Sequence, residues 1–413
     1  MSLNEFYRTF YKLEITLKSS LSIGSGANDF TDHDVIVDAV GTPFIPATAI
    51  AGVLRSYVSK KHSQDIEDKI FGFIPTEKNS LRNERESQIR FFDGLYKGGK
   101  DAFFIANRDC VKLKDKLSVN GAKFDMQVVE PGAKFVSYIE LFENNEDIIE
   151  NALSALNSGI IRLGSKTSRG YGCVCVKAYK KKVDSPSDWL DFDLFDEDCW
   201  SESRELSFED APELKLTIGL KSIGGISIRE YTTDVSDDET VMPDYKMLSL
   251  HTKNGNPVIP GTSWAGAIRS RMSEFLEPNK IESLFGFVNE REKSVQKSKI
   301  IIDESVLSGG VFKNITRNAL NRFTGKTKDK SLYTESTYYF GNTNLSLAFT
   351  EKPDEEIKKA LLFTLADLHN GLISVGGLVS IGRGLFEITS VNGKEFEGED
   401  IIGFLKEEIA DAL

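Results

Sequence analysis

Apolar and polar residues alternate through Tyr11-Lys12-Leu13-Glu14-Ile15-Thr16-Leu17, which predicts a strand with one buried face. Glycines in Ser19–Gly26 then allow a tight turn, and a loop runs to Pro46. Beyond it the period changes. Ile50, Val53, Leu54, Tyr57 and Val58 recur at helical spacing and predict a helix over Ala49–Lys61, with Thr48 as its cap. A strand over Phe135–Phe142 and a helix over Ile148–Asn157 follow, then a glycine-rich segment and a closing strand. The same order then returns. A strand over Leu214–Leu220 leads through a loop to Pro260 and a helix carrying Trp264, Ile268, Met272 and Phe275. A strand over Asn344–Phe349, a helix over Glu355–Asn370, a glycine-rich segment and a last strand complete it.

The return is also literal. Thr42-Pro43-Phe44-Ile45-Pro46-Ala47-Thr48 reappears 214 residues later as Asn256-Pro257-Val258-Ile259-Pro260-Gly261-Thr262. At the same offset Ala51–Ser56 matches Ala265–Ser270, Ile70–Phe73 matches Leu284–Phe287, and Arg169-Gly170 matches Arg383-Gly384. The chain is therefore read as a tandem duplication. Its domains are residues 10–180 and 213–393, with an acidic linker at 181–212 and an acidic C-terminal segment at 394–413. Strand, helix, two or more strands, helix and strand in each copy is the ferredoxin-like plan shared by many RNA-recognition domains. The expected class is α+β, with two tandem ferredoxin-like (RRM-like) domains.

Charge changes the picture only through its distribution. The net charge is −12, but residues 183–212 hold a net −10 and residues 394–413 a net −5, leaving +3 elsewhere. Both repeats can therefore present positive surfaces. The linker keeps Trp189, Phe192, Phe195 and Trp200, so it is expected to pack partly on a neighbour. The four cysteines have no framework or zinc spacing, and with no membrane-length apolar run or signal-like N-terminus a cytoplasmic protein is expected.

Candidate chemistry gathers at four places. Gly164–Gly172 and Gly376–Gly384 each combine glycines with an arginine, so backbone amides together with Lys166, Arg169 and Arg383 suit phosphate. Arg317–Lys330 is basic, with Arg317, Arg322 and Lys326 as RNA contacts and Phe323 and Tyr333 for base stacking; Arg108–Lys123 is its counterpart. Arg55 and Arg269 follow the duplicated prolines on the helices. Asp29, Asp32, Asp34 and Asp38 crowd the first loop, a set that repels phosphate unless a divalent cation bridges them. Gly325-Lys326-Thr327 lacks the leading glycine of a P-loop, and His33-Asp34 lacks the partners of a metal phosphohydrolase.

Together these residues resemble the RAMP superfamily of CRISPR-associated proteins, in particular Cas-seven-type backbone subunits of type III effector complexes. The resemblance rests on Gly41–Thr48 with Arg55 and Arg169–Gly172, then Gly255–Ser263 with Arg269 and Arg383-Gly384, and on Asn321–Gly325. Two units in one chain resemble the fused subunits of type III-D-like systems. The resemblance implies thumb-like insertions, binding of guide RNA, cleavage of complementary target RNA with Mg2+ or Mn2+, and other effector subunits as partners, in antiviral defence and without a membrane. It makes Asp32 the catalytic and metal-binding aspartate. In the second copy it falls on Tyr245 with Asp244 adjacent, so Asp244 is the second catalytic candidate. The helix positions usually lysine are Ala51, Val53, Ala265 and Ala267, and no Gly-Gly-Asp-Asp stretch occurs. A structural RNA-binding subunit without activity and a metal-independent guide-processing endoribonuclease using His33 are the alternatives.

Overall fold

The computed structural model describes residues 8–26, 31–75, 84–99, 103–114, 117–142, 144–201, 203–208, 214–231, 245–250, 255–289, 294–328 and 331–413. The chain divides into two compact units, Met1–Thr167 with Tyr171–Pro212, and Ser168–Gly170 with Glu213–Leu413.

The first unit runs β1 (Arg8–Leu17), α1 (Ala47–Lys61), α2 (Gln64–Phe71), β2 (Ile89–Phe91), β3 (Leu95–Tyr96), β4 (Ile105–Lys114), β5 (Leu117–Val129), β6 (Lys134–Leu141), α3 (Glu146–Asn157), β7 (Val174–Val183), α4 (Pro186–Asp191) and β8 (Arg204–Glu205). Its sheet has the order β2-β6-β1-β7-β8, with the central pairs antiparallel. The alternation in β1 gives the expected core-facing side, but Phe10 and Lys12 on the opposite side are buried as well. Tyr11, Leu13 and Ile15 are buried against Ile50, Leu54 and Val58 of α1 and Leu153 and Leu156 of α3. Burying one such side chain stabilises by about 1.5–3 kcal/mol, so this seam holds the helices on the sheet.

The start of α1 differs from the expectation. Pro46, not Thr48, is the N-cap residue, and no side chain of its own caps the helix. The amide of Ala47 instead donates to Asp93 Oδ1 at 2.7 Å. A carboxylate from a distant loop satisfies the free amide and favours the positive end of the helix dipole.

The second unit runs β9 (Lys215–Ser222), β10 (Gly225–Ile226), β11 (Arg229–Tyr231), β12 (Tyr245–Met247), β13 (Ser249–Leu250), β14 (Asn256–Ile259), α5 (Gly261–Met272), α6 (Pro278–Phe285), β15 (Phe287–Asn289), β16 (Ser294–Gln296), β17 (Ile300–Ile302), β18 (Ser305–Val306), β19 (Val311–Arg317), β20 (Tyr333–Tyr339), β21 (Asn342–Phe349), α7 (Glu355–His369), β22 (Phe386–Val391), β23 (Lys394–Glu395) and α8 (Ile401–Ala412). Its main sheet, β17-β21-β9-β22-β23, repeats the order of the first. Trp264 fills the centre of the core and donates its indole N–H to Ser305 Oγ at 3.0 Å. Phe275 lies beyond the end of α5 and is exposed, so it is not part of the apolar stripe. The acidic C-terminal segment is amphipathic: α8 puts Ile401, Leu405 and Ile409 into this core.

Hydrogen-bond register shows that the repeat offset is not constant. The amide of Ile36 donates to Ile23 O, and that of Leu248 to Ile228 O. Val37 bridges Pro43, and Ser249 pairs with Pro257. Leu163 N bonds Gly172 O as Val375 N bonds Gly384 O, so the offset is 212 in the glycine-rich segments. This corrects the pairing of Arg169 with Arg383. By register Arg169 corresponds to Ile381, and Arg383 to Tyr171.

Candidate nucleic-acid interface

Each unit carries a long antiparallel hairpin, β4–β5 in the first and β19–β20 in the second. Each is rooted against the turn that follows the first strand. Leu21 bridges Val129 in one, and Ile226 pairs with Tyr338 in the other.

The glycine-rich segment packs onto the same turn. A Cβ on Gly164 would lie 2.4 Å from Ser22 O, and one on Gly376 would lie 2.6 Å from Ser227 O. The amide of Gly172 donates to Ser20 O and that of Gly384 to Gly225 O, both at 2.9 Å. These glycines therefore serve close approach of two backbones. The amides of Gly172 and Gly384 are spent inside the fold, where the sequence suggested phosphate contact.

Lys166 sits in the middle of this segment with φ 54°, a left-handed conformation that costs a residue with a Cβ about 1–2 kcal/mol. Its ammonium lies 4.3 Å from the Phe124 ring centroid and 2.8 Å from Met126 Sδ, both on β5. The edge of His33 meets the same ring at 6.0 Å. Beside them the aspartate loop is tied to the hairpin. Asp32 N donates to Asp125 Oδ1 and Asp125 N to Asp32 Oδ2, each at 3.0 Å, while His33 O accepts from Gln127 N at 2.9 Å.

This geometry sorts the loop's aspartates. Asp34 is buried and accepts from the amide and hydroxyl of Thr31, both at 2.8 Å. Asp38 accepts from the amides of Val40 and Thr42 and closes a turn. Asp29 lies outside the described residues. Asp32 is exposed, at the root of the hairpin. Asp125 escaped the sequence reading; nothing local marks an aspartate in a strand as the partner of a loop 93 residues away. Asp244 lies outside the described residues, but counting back from the matched amides of Leu248 and Ile36 makes it, rather than Tyr245, the counterpart of Asp32.

The basic candidates divide as well. Arg322 and Lys326 are exposed at the tip of β19–β20, where Phe323 is 95% exposed, and Arg317 ends β19 half-buried. The tip is ordered by its own bonds: Asn321 N donates to Lys326 O at 2.7 Å, and Asn321 Oδ1 accepts from Phe323 and Thr324. Its expected counterpart differs: Arg108 is buried, 3.8 Å from Glu130, and the side chains of 109–123, with Lys112, Lys114 and Lys116, lie outside the described residues. Arg55 bonds Glu67 Oε1 at 2.7 Å and Gly72 O at 3.3 Å, tying α1 to α2. Arg269 is exposed with its guanidinium 5.8 Å from the Phe285 ring. Arg169 is exposed. Arg383 is 7% exposed, stacks on Tyr339 at 5.0 Å and donates to its hydroxyl.

The two units thus join the glycine-rich segment to the hairpin by a cation on an aromatic ring, placed differently in each. Lys166 on Phe124 does so in the first, with Tyr171 packed on Ala106, Met126 and Val128. Arg383 on Tyr339 does so in the second, with Leu378 at the position of Lys166.

This repeated arrangement of loop, helix, hairpin and glycine-rich segment coincides with the family match, which covers residues 14–175 and 246–387. The chain belongs to the RAMP superfamily. Both repeats match, so this is a tandem RAMP protein. No curated protein sequence matches it. Among solved structures, it is similar at 21% identity to a chain of a cryo-EM structure of the type III-B Cmr-beta bound to cognate target RNA. That similarity covers 44% of this chain and 62% of the other, with a TM-score of 0.34, so the RAMP chain spans less than two thirds of that neighbour. Among the described residues no helix is long and apolar enough to cross a membrane.

Proposed function

We propose that this tandem RAMP protein is a fused backbone subunit of a type III CRISPR RNA-guided effector complex, which binds guide RNA and cuts complementary target RNA beside Asp32. The strand order of both main sheets is read as the ferredoxin-like plan, and each hairpin as a thumb. The observation that carries the reading is the second hairpin tip. A phenylalanine 95% exposed between Arg322 and Lys326 has no folding role, whereas an aromatic ring between cations suits a base and its phosphates.

The cutting site is read from Asp32 and Asp125. Each uses one carboxylate oxygen on the other's amide, which leaves one oxygen on each for a ligand. Two carboxylates fit Mg2+ or Mn2+, hard cations that complete their shell with water and phosphate oxygens. Among the described residues no group of three or more metal-ligating side chains occurs, so the pair suits a cation that arrives with the RNA. When bound, the cation would neutralise charge on the scissile phosphate. Asp32 and Asp125 would hold it, and the hairpin would orient the strand. Guide-binding groups would be Lys166, Arg169, Arg269, Arg317, Arg322 and Lys326. Arg55 and Arg383 would act through the helix and hairpin they hold.

Sequencing of RNA that co-purifies with the protein and its partner subunits tests the guide; repeat-derived ends are expected. Incubating the complex with complementary RNA, with and without Mg2+, tests the cut. Metal-independent cleavage would favour guide processing through His33, and none under either condition a structural subunit.

A further inference from the structure

The sheet of the first unit has a second face that the hairpin reading leaves unused. Lys12 on β1 pairs with Tyr138 on β6 and with Tyr179 on β7, so Tyr138, Lys12 and Tyr179 form one row across the three central strands. The Lys12 ammonium lies 5.9 Å from the Tyr179 ring centroid. Phe10 lies one pair further along, and Lys97 follows β3. Three acids share the face: Glu14, Glu140 and Glu205, the last paired with Tyr179. Glu140 is held by Arg8 at 3.6 Å and Arg90 at 2.9 Å, and Glu14 lies 4.0 Å from Lys12. Rings on central strands with lysines between them make a platform for unpaired bases and their phosphates.

The acidic connector occupies this platform. Phe195 stands edge-on to Tyr138 at 5.4 Å and to Phe92 at 6.4 Å, and Phe192 meets Phe10 at 4.6 Å. Trp200 lies 5.9 Å from Tyr138. Glu197 joins both lysines, bonding Lys97 at 2.7 Å and Lys12 through its other oxygen. Rings sit where bases would, and a carboxylate where a phosphate would. The second unit supplies the contrast. Register turns the row into Ser346, Thr217 and Asn392, with neither ring nor charge. A fold needing only a cover would not require a carboxylate bridging two lysines within residues 184–201, a stretch of net charge −7.

We propose that this face of the first unit binds single-stranded RNA, and that the connector, residues 184–201, is its built-in competitor. The proposal rests on the RNA-binding reading above but on a different surface.

Two full-length variants test it: Phe195→Ala with Glu197→Gln, and a chain with residues 184–201 replaced by a glycine–serine linker. Emission of Trp200 reports release in the first, and release is built into the second. The probe is labelled oligouridylate. Affinity about tenfold above the parent chain is expected from a recovered stacking platform. The log–log salt slope should steepen by about 1.4, or ~0.7 for each of two lysines returned to phosphate. A synthetic peptide of residues 184–201 should reverse the gain, and Tyr138→Ala in the linker variant should remove it. Affinity and slope equal to the parent's in the linker variant overturn the proposal, as does a gain that the peptide does not compete. RNA binding by the linker variant alone would support this site and sink the hairpin reading. Binding by neither would sink both.

Discussion

Asp32 and Asp125 exchange a pair of hydrogen bonds, each amide donating to the other's carboxylate at 3.0 Å. The exchange fixes an exposed loop aspartate to the root of a hairpin. That separates two roles of Asp32, as acceptor and as charge.

Asp32→Asn keeps an oxygen for the Asp125 amide and removes the charge. The expected outcome is unchanged thermal stability with cleavage of guide-paired RNA reduced on the order of a hundredfold or more, read from quantified ladders. Guide RNA should stay bound, because a carboxylate repels phosphate. Cutting at the parent rate at every site would reject the assignment.

Asp125→Ala removes the acceptor of the Asp32 amide and one of the two candidate ligands. Loss of one such bond costs about 1 kcal/mol, so hydrogen exchange at the Asp32 amide should speed up roughly fivefold. Cleavage should fall at the same position as in Asp32→Asn. If exchange accelerates and cutting does not change, Asp125 serves only the loop.

Phe323→Ala should leave stability within about 0.5 kcal/mol, since an exposed ring packs on nothing. RNA affinity should drop by about 1–3 kcal/mol, the worth of one stacked base. Arg322→Ala should weaken different guide sequences alike, because a phosphate contact carries no base information. Titration with two unrelated guides checks both.

Arg383→Ala and Arg169→Ala should part company. Arg383 is buried on Tyr339, so its removal should cost roughly 2–3 kcal/mol in the unfolding of the second unit. Arg169 is exposed, and its removal should leave stability unchanged and weaken RNA binding. Denaturant melts alongside salt-matched binding curves distinguish them. A stable Arg383→Ala chain with lost RNA binding would restore Arg383 as a direct contact.

Hydrogen bonds from Lys12 and Lys97 hold the Glu197 carboxyl below its ordinary value of 4.5. A depressed carboxyl stabilises the docked connector fully above that value, and the contribution fades as pH falls through the lowered pKa. Trp200 emission should therefore shift toward the exposed form below the ordinary carboxylate range, and Glu197→Gln should abolish that pH dependence. A transition retained in Glu197→Gln would show that Glu197 is not its source.

What the sequence by itself determined was the duplication, the order of elements in each copy and the split of charge between repeats and connector. These are local or repeated properties: period two in β1, helical spacing from Ile50 to Val58, and matching strings near both prolines. A fixed 214-residue offset failed outside those strings because insertions fall in turns such as Asp38–Thr42 and Leu250–Asn256, where they disturb no packed core. Only tertiary structure decided which charged groups face outward. Arg169 and Arg383 read alike in sequence, yet one is exposed and the other is stacked on a tyrosine 44 residues away. Asp32, Asp34 and Asp38 are equal as letters, but two of them close their own turns while the third meets Asp125 across the hairpin. Hydrogen-bond exchange between distant backbones leaves no mark on spacing. Nor does the seating of Glu197 between Lys12 and Lys97, because pairings across strands depend on register, and register is settled when the sheet closes.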